Sequence, residues 1–364
     1  MNPQYRRVAA VIVTGSLVVP LAACSQAVGA TYQPPADFVV EGSFAGAGST
    51  AQEKAMAAWI DGYTERTPGV RISYEAIGSG DGREKFLAGD VAFGASDSAL
   101  DTDELASSVD ICGGGNGIDL PVYISPISVA FNLEGIETLN LRADVIARIF
   151  GGAITTWNAP EIAADNPDVK LPDLPIVPVH RLDDSGTTEN FTDYLSKVAS
   201  ADWPHEPDGV WPLEGGRAED GTSGVTDFVK ANVGAVTYAD ASATKGLGSA
   251  AIRVGDEFVS YTPEAAASTV DVSQVIEGRT QHDLAYDIDR RTTESFAYPL
   301  VLVSYVIVCS RYTDKPTGRF VKEFLGYIAS PEGQRVAAKA AGSAPISGFL
   351  ERRVTEAADA IYLG

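Results

Sequence analysis

Residues 177–195 read VPVHRLDDSGTTENFTDYL, and the hydrophobic period of this stretch changes in its middle. Before the break at residues 183–186, apolar residues alternate with other residues, which is typical of a β-strand. After the break they recur at steps of three and four residues, which is typical of an α-helix. Strand and helix patterns alternate in this way along the chain, and the sequence therefore predicts an α/β fold.

The break between strand and helix also carries groups that suit an anion. Arg181 offers a guanidinium, Ser185 and Thr187 offer hydroxyls, and Gly186 lets a backbone approach closely. The first N–H groups of a helix have no intrahelical partner and lie at the positive end of the helix dipole. Such a junction can bind a tetrahedral oxyanion. An ordinary helix start capped by a Ser or Asp side chain has the same features, so this stretch alone leaves both interpretations open.

Two other junctions repeat the arrangement. GAGST at residues 46–50 lies between the strand-like segment 37–44 and a helical pattern. GSGDG at residues 78–82 lies between the strand pattern 70–77 and the helical segment 83–87. Three strand–loop–helix junctions rich in Gly, Ser and Thr are less expected by chance than one, and they favour a shared anion site.

Length and charge limit the partners. The chain has 364 residues, which is enough for roughly two domains of about 150 residues each. Its net charge of −22 and pI of about 4.4 make nucleic acid and anionic membrane surfaces poor partners. An anion can still bind locally, because surface charge is screened over about 8–10 Å at physiological salt.

The first residues are typical of an export signal. Residues 1–23 place two arginines ahead of an apolar run that is too short to span a bilayer. The sequence LAAC at residues 21–24 resembles the bacterial lipoprotein box, which implies cleavage before Cys24 and acylation of its thiol. Secretion with an unmodified Cys24 is disfavoured, because an unpaired exposed cysteine is unusual outside the cell. Residues 24–37 are polar, contain two prolines and read as a tether, so we expect an extracytoplasmic protein that is lipid-anchored to the cell membrane.

Two cysteines remain after Cys24. An oxidising compartment permits a disulfide between Cys112 and Cys309. Their positions in the sequence do not show that they are close, so two separate buried thiols are equally compatible with the pattern.

Two β-rich runs indicate how the chain divides. The first is PVYISPISVAFN at residues 121–132, and the second is YPLVLVSYVIVC at residues 298–309. We interpret both as crossovers between two lobes. Residues 38–128 and 300–364 would form lobe I, and residues 129–299 would form lobe II.

Several kinds of chemistry lack support in the sequence. Residues 46–51 fit the dinucleotide fingerprint G-x-G-x-x-G/A, but no acidic residue follows at the usual offset. Ser185 is not in a G-x-S-x-G elbow, and His180, five residues earlier, makes no triad by itself. The chain has three histidines and no C-x-x-C or H-E-x-x-H motif, so no metal site and no cofactor are predicted.

The chain resembles the phosphate-binding proteins of bacterial phosphate ABC transporters, the PstS family. The resemblance extends from about residue 46 to the C-terminal helices. Its most specific part is the block at residues 157–172 taken together with the block at residues 181–187. It implies a two-lobed periplasmic-binding-protein fold, type II-like, with the ligand cleft between the lobes. The matching blocks are GAGST at 46–50, AIGS at 76–79, FGASD at 93–97, Trp157 with the Asn-Pro at 166–167 and Leu-Pro at 171–172, and RLDDSGT at 181–187.

The resemblance also implies a set of phosphate ligands from both halves of the chain. Asp183 matches the family carboxylate that pairs with the arginine. Ala51 stands where an aromatic residue is common, and Asp184 replaces a frequent glycine, which adds negative charge near the site. The implied phosphate-binding groups are the hydroxyl and N–H of Thr50, the N–H of Ala51, the Ser79 hydroxyl, the Asp97 carboxylate, the Arg181 guanidinium, and donors of Ser185, Gly186 and Thr187.

The expected function is capture of inorganic phosphate and its delivery to the permease subunits of an ABC importer, by a monomer that is not an enzyme. One alternative is a binding protein for another oxyanion, such as sulfate or molybdate. Another is an extracellular hydrolase of phosphate esters, which would need a nucleophile with a base or a metal. Asp97 bears on the choice of anion, because an ionised carboxylate can accept a hydrogen bond from protonated phosphate and repels sulfate.

Overall fold

The computed structural model describes residues 40–364, so the signal segment, Cys24 and the tether lie outside the described residues. In the first lobe the chain alternates three strands with three helices. Strand β1 pairs in parallel with both β2 and β3. These elements are β1 (Gly42–Gly48), α1 (Glu53–Arg66), β2 (Val70–Ala76), α2 (Ser79–Ala88), β3 (Phe93–Ser96) and α3 (Thr102–Ile111).

Two of the glycine-rich junctions predicted from the sequence lie partly within regular elements. Residues 46–50 overlap the end of β1, and residues 78–82 overlap the first turn of α2. Gly46 marks close packing within the strand, whereas Gly48 and Gly78 have positive φ values of 143° and 106°. A Cβ at Gly46, for example, would lie 2.1 Å from Cζ of Phe93.

The chain leaves the first lobe on one long strand and builds the second lobe from short elements. The order of elements continues as β4 (Gly117–Phe131), β5 (Thr138–Leu141), α4 (Ala143–Phe150), α5 (Pro160–Asp165), β6 (Val177–Arg181), α6 (Gly186–Val198), β7 (Arg217–Glu219), α7 (Gly221–Ala231), β8 (Ala235–Asp240), β9 (Gly248–Val254), β10 (Glu257–Val259), α8 (Pro263–Val272), β11 (Gln274–Val275) and β12 (Tyr286–Asp287). Strand β7 and the start of α7 lie within residues 203–222, a segment rich in Gly, Pro and Asp.

The chain then returns to the first lobe. The returning elements are β13 (Val301–Cys309), β14 (Arg311–Tyr312), α9 (Lys315–Ala329), α10 (Pro331–Ala341), α11 (Gly348–Ala360) and β15 (Tyr362–Leu363). The two-lobed α/β fold predicted from the sequence is confirmed. None of the helices in residues 40–364 has the length and apolar character that a bilayer span requires.

One continuous sheet connects the lobes through β4. Residues 117–126 pair antiparallel with β13, and residues 127–131 pair antiparallel with β8. The sheet order is β2-β1-β3-β13-β4-β8-β6-β7, and β9 joins β4 to β5 and β10. The change of partner within β4 lies close to residue 128, where the sequence placed the lobe boundary. That boundary stays a prediction.

The two connections between the lobes are hydrogen-bonded to each other. The N–H of Ile127 donates to the carbonyl of Leu300 at 2.8 Å, and the Tyr298 hydroxyl donates to the carbonyl of Ile127 at 2.9 Å. The returning connection is also fixed to α6 by the buried Arg290, whose guanidinium donates to Asp193 Oδ2 at 2.9 Å and to Asn190 Oδ1. The two connections between the lobes are therefore adjacent, hydrogen-bonded segments and not two independent linkers.

The lobe I strands carry a disulfide. Cys112 follows α3, Cys309 ends β13, and their sulfurs are bonded, with 5.1 Å between the Cα atoms. Both residues are buried. The bond closes a separation of 197 residues that includes the whole second lobe.

We predict that replacing both cysteines, Cys112→Ala with Cys309→Ala, lowers the free energy of unfolding by about 2–4 kcal/mol, because the bond restricts the unfolded chain. Urea denaturation of the variant and of the oxidised wild type measures the difference. Peptide mapping without reductant is the control for the bond itself. Two thiols that alkylate in the unfolded wild type would show that the bridge is not formed.

Candidate anion-binding site

Arg181 is the last residue of β6 and is held there by an aromatic cluster. Strand β6 lies between β8 and β7 in parallel register, with Arg181 opposite Glu219. The backbone N–H of Arg181 donates to the Tyr238 hydroxyl at 3.3 Å. The Tyr238 ring stacks on Phe191 of α6, with 4.2 Å between centroids. The strand end and the following helix are thus packed against the same ring.

Asp183 orients the Arg181 guanidinium. Nε of Arg181 donates to Oδ1 of Asp183 at 2.7 Å, and Nη2 donates to Oδ2. Burial by itself would raise the pKa of the Asp183 carboxyl, but the hydrogen bonds and charge of Arg181, with the N–H of Gly221 at 3.0 Å, lower it overall. Within residues 40–364 no hydrogen bond occupies Nη1, so one edge of the buried guanidinium is left to bind another group.

Helix α6 begins at the site with unused donors. Ser185 is its N-cap and accepts the N–H of Thr188 at 3.2 Å. In the described part of the chain, the N–H groups of Gly186 and Thr187 make no hydrogen bond. A side chain at Gly186 would collide with the other lobe, since its Cβ would lie 2.7 Å from Oγ of Ser79. The small residue allows the helix start to approach lobe I.

Asp97 meets these donors from lobe I. Its Oδ1 accepts from the Ser49 hydroxyl at 2.6 Å, and its Oδ2 accepts from the Thr187 hydroxyl at 3.2 Å across the lobes. Its backbone N–H donates to Oγ of Ser79 at 3.1 Å. Burial raises the pKa of the Asp97 carboxyl, although these hydroxyls and the charge of Arg181 oppose the shift.

Thr50 and Ala51 reach the same place from the β1–α1 junction. The Thr50 hydroxyl lies 2.8 Å from the Thr222 hydroxyl of lobe II. The N–H of Ala51 donates to Oγ of Ser49 at 3.1 Å. In this structure Ser49 therefore occupies an N–H that the sequence analysis assigned to phosphate binding. Among the predicted ligand residues, contacts across the lobes involve Thr50 and Asp97 of lobe I and Thr187 of lobe II, and Gly186 lies close to Ser79.

Asp184 lies between the two lobes rather than against the predicted ligands. Its carbonyl accepts the N–H of Gly80 in the first turn of α2 at 3.2 Å. Its carboxyl lies so close that a Cβ at Gly80 would be 2.2 Å from its Cγ. Burial raises the pKa of this carboxyl, and the charge of Arg83 opposes the shift. Asp184 therefore lies at the lobe contact, beside the first turn of α2.

Several polar residues at the site were not singled out by any sequence pattern. Asn190 follows Gly186 by one helical turn and donates to its carbonyl at 2.8 Å and to the carbonyl of Asp97 at 2.7 Å, so helical spacing is the signal by which it could have been found. Ser49 lies in the GAGST junction, which contributed only Thr50 to the predicted ligands. Thr222 and Tyr238 belong to different elements and carry no local signal.

Two other chemistries find little support around Ser185. The ring nitrogens of His180 contact the carbonyls of Arg181 and Gly215, at 2.9 and 3.1 Å, and the ring stacks on Trp211. Across residues 40–364, His, Cys, Asp and Glu side chains do not gather in threes that could hold a metal ion.

Comparison with known proteins gives consistent matches over most of the chain. The PBP superfamily domain matches residues 32–332. The chain is 36% identical to phosphate-binding protein PstS 3 of Mycobacterium leprae (strain TN) over 324 residues, which are 86% of this chain and 85% of the relative. It is 34% identical to phosphate-binding protein PstS 2 of Mycobacterium tuberculosis (strain ATCC 25618 / H37Rv), with 86% of each chain covered.

The fold also matches solved structures. A high affinity periplasmic phosphate-binding protein, PfluDING, solved with phosphate, superposes with a TM-score of 0.69 at 21% identity. The match covers 86% of this chain and 93% of that chain. At this identity the likeness shows the shared fold.

Proposed function

We propose that this chain, which belongs to the PstS family of phosphate-binding proteins within the PBP superfamily, captures inorganic phosphate outside the cytoplasm and delivers it to the permease of an ABC importer. One observation carries the proposal. Within residues 40–364, lobe II holds the unpaired N–H groups of Gly186 and Thr187 and the open edge of Arg181, and Asp97 of lobe I interacts with the Thr187 hydroxyl and the Arg181 charge. Donors with no other partner on one side, and a carboxylate on the other, suit an anion that carries a proton.

Closure of the two lobes would enclose the anion. A buried phosphate needs most of its oxygens hydrogen-bonded, because an unpaired buried charge is very costly. The proposed donors are divided between the two lobes, and hinge closure around a ligand brings both sets together. We assign the binding to Thr50, Ala51, Ser79, Asp97, Arg181, Ser185, Gly186 and Thr187, with Asp183 orienting the arginine.

We assign lobe I to residues 38–128 and 300–364 and lobe II to residues 129–299. The change of partner within β4, between residues 126 and 127, supports the first boundary. The hydrogen bond from Ile127 to Leu300 supports placing the second boundary beside it.

We propose binding without catalysis, by a monomer with no cofactor. The relatives are named as binding proteins. A hydrolase would need a base or metal beside a nucleophile. The nearest histidine in sequence, His180, instead contacts backbone carbonyls, which supports the binding function.

We also propose that Cys24 is acylated and anchors the protein to the outer face of the cell membrane, from the LAAC sequence at residues 21–24. We predict that Cys24→Ser loses the lipid and either stays unprocessed or is released to the medium. Phase partitioning in detergent and labelling with a fatty acid measure this. A Cys24→Ser protein that still partitions and labels as a lipoprotein would contradict the anchor.

We predict that Arg181→Ala weakens phosphate binding by about 2–5 kcal/mol, because it removes one member of a buried charged contact. Arg181→Lys should restore binding only in part, since a lysine lacks the planar fork. Equilibrium binding of radiolabelled phosphate, with sulfate as competitor, measures the effect. Arg217→Ala is the control, because Arg217 lies on the neighbouring strand with an exposed side chain. Unchanged affinity in Arg181→Ala would place the guanidinium outside the site.

We predict that Asp97→Asn still binds phosphate but discriminates less against sulfate. An ionised Asp97 accepts a hydrogen bond from the protonated oxygen of phosphate and repels the unprotonated oxygens of sulfate, whereas an amide can donate to either anion. Burial raises the pKa of Asp97. As the pH falls through that pKa the carboxyl gains a proton that sulfate can accept, so discrimination by the wild type should decrease towards acid pH.

Competition calorimetry with both anions, from about pH 5 to pH 9, tests this, because phosphate titrates near neutral pH and sulfate does not. Asp110→Asn is the control, since Asp110 is exposed on α3. The mechanism is wrong if Asp97→Asn rejects sulfate as strongly as the wild type does.

A further inference from the structure

The start of a fourth helix, α7, also contacts the site. Its first two residues, Gly221 and Thr222, are not among the proposed phosphate ligands. Helix α7 begins after Asp220, whose side chain does not cap it. Its first two N–H groups are used by site residues instead. Gly221 donates to Oδ1 of Asp183 at 3.0 Å, and Thr222 donates to Oγ1 of Thr50 at 3.2 Å.

The side chain of Thr222 makes a second contact with the same oxygen. The two hydroxyl oxygens of Thr50 and Thr222 are 2.8 Å apart, and Thr222 is 6% exposed. One proton lies between them and either residue can supply it. A hydroxyl has one proton and two lone pairs, so this choice decides what Thr50 can still offer to a ligand.

An anion resolves the choice. If Thr50 donated to Thr222, it would present only a lone pair to the anion, and two acceptors would meet in a buried site. If Thr222 donates its hydroxyl proton, Oγ1 of Thr50 accepts both from that hydroxyl and from the N–H of Thr222. Its own proton is then the only hydrogen-bonding capacity left, and it points away from Thr222.

We infer that Thr222 is a positioning residue for phosphate, which acts through Thr50 by filling both of its lone pairs and turning its proton towards the anion. The inference rests on the proposed function and adds a residue to it. Thr50 lies in lobe I and Thr222 in lobe II, so the pair forms only when the lobes meet. When the lobes close, the Thr50 hydroxyl can therefore act only as a hydrogen-bond donor to the anion.

Phosphate binding by Thr222→Val and Thr222→Ser tests the inference. Valine keeps the shape and removes the hydroxyl, so affinity should fall about 5- to 10-fold, as for the loss of one hydrogen bond. Serine keeps the hydroxyl and should restore most of the affinity. Thr226→Val is the matched control, because Thr226 is equally buried one turn later in α7 and its hydroxyl donates to the carbonyl of Thr222, away from Thr50. It should bind as the wild type does.

A double-mutant cycle separates positioning from a general structural role. In a Thr50→Val background, Thr222→Val should cause no further loss, because the hydroxyl that it orients is gone. Equal losses in both backgrounds, or wild-type affinity in Thr222→Val, would overturn the inference. If the wild type itself binds no phosphate, the proposed function fails and the inference fails with it, and this outcome is distinct from the other two.

Discussion

The constraint on which this structure depends is a shortage of positive charge at the site. Arg181 is the one cation among the proposed ligands. Its guanidinium is paired with the carboxylate of Asp183, and the carboxylate of Asp97 adds a second negative charge nearby. An anion there has to be held largely by neutral N–H donors, and these are most concentrated at helix starts. The fold supplies such starts from both lobes. Helices α6 and α7 follow the adjacent parallel strands β6 and β7, so both begin at the same edge of the sheet.

The same requirement explains the acids at the site. Asp183 fixes the plane of the guanidinium while leaving one edge open, and its own pKa is lowered by that contact. Asp97 lies among hydroxyls that can turn, and it accepts from Ser49 and Thr187. The net charge of −22 is therefore compatible with an anion site, because orientation of a few buried groups decides binding locally.

The sequence predicted the fold class and the parts of the site that are local in the chain. Arg181, Asp183 and the α6 start fall within seven residues, so their proximity follows from one turn. Thr222 was not predicted as a site residue, because it lies 172 residues from Thr50 and no local pattern relates the two positions. Glycines were misleading in another way: at residue 46 a glycine that read as a loop is a strand position pressed against a phenylalanine ring. Register and long-range packing decide such features, and neither is written in a local pattern.

The hinge, in which the connections at Ile127 and Leu300 are bonded to each other, has a thermodynamic consequence. Two halves of a site on separate molecules would have to find each other, at a cost in translational and rotational freedom that would weaken binding. Here a short double connection keeps each half at a high effective concentration relative to the other. The free energy released on contact with the anion is then not reduced by the cost of bringing the two halves together, so more of it remains as binding affinity.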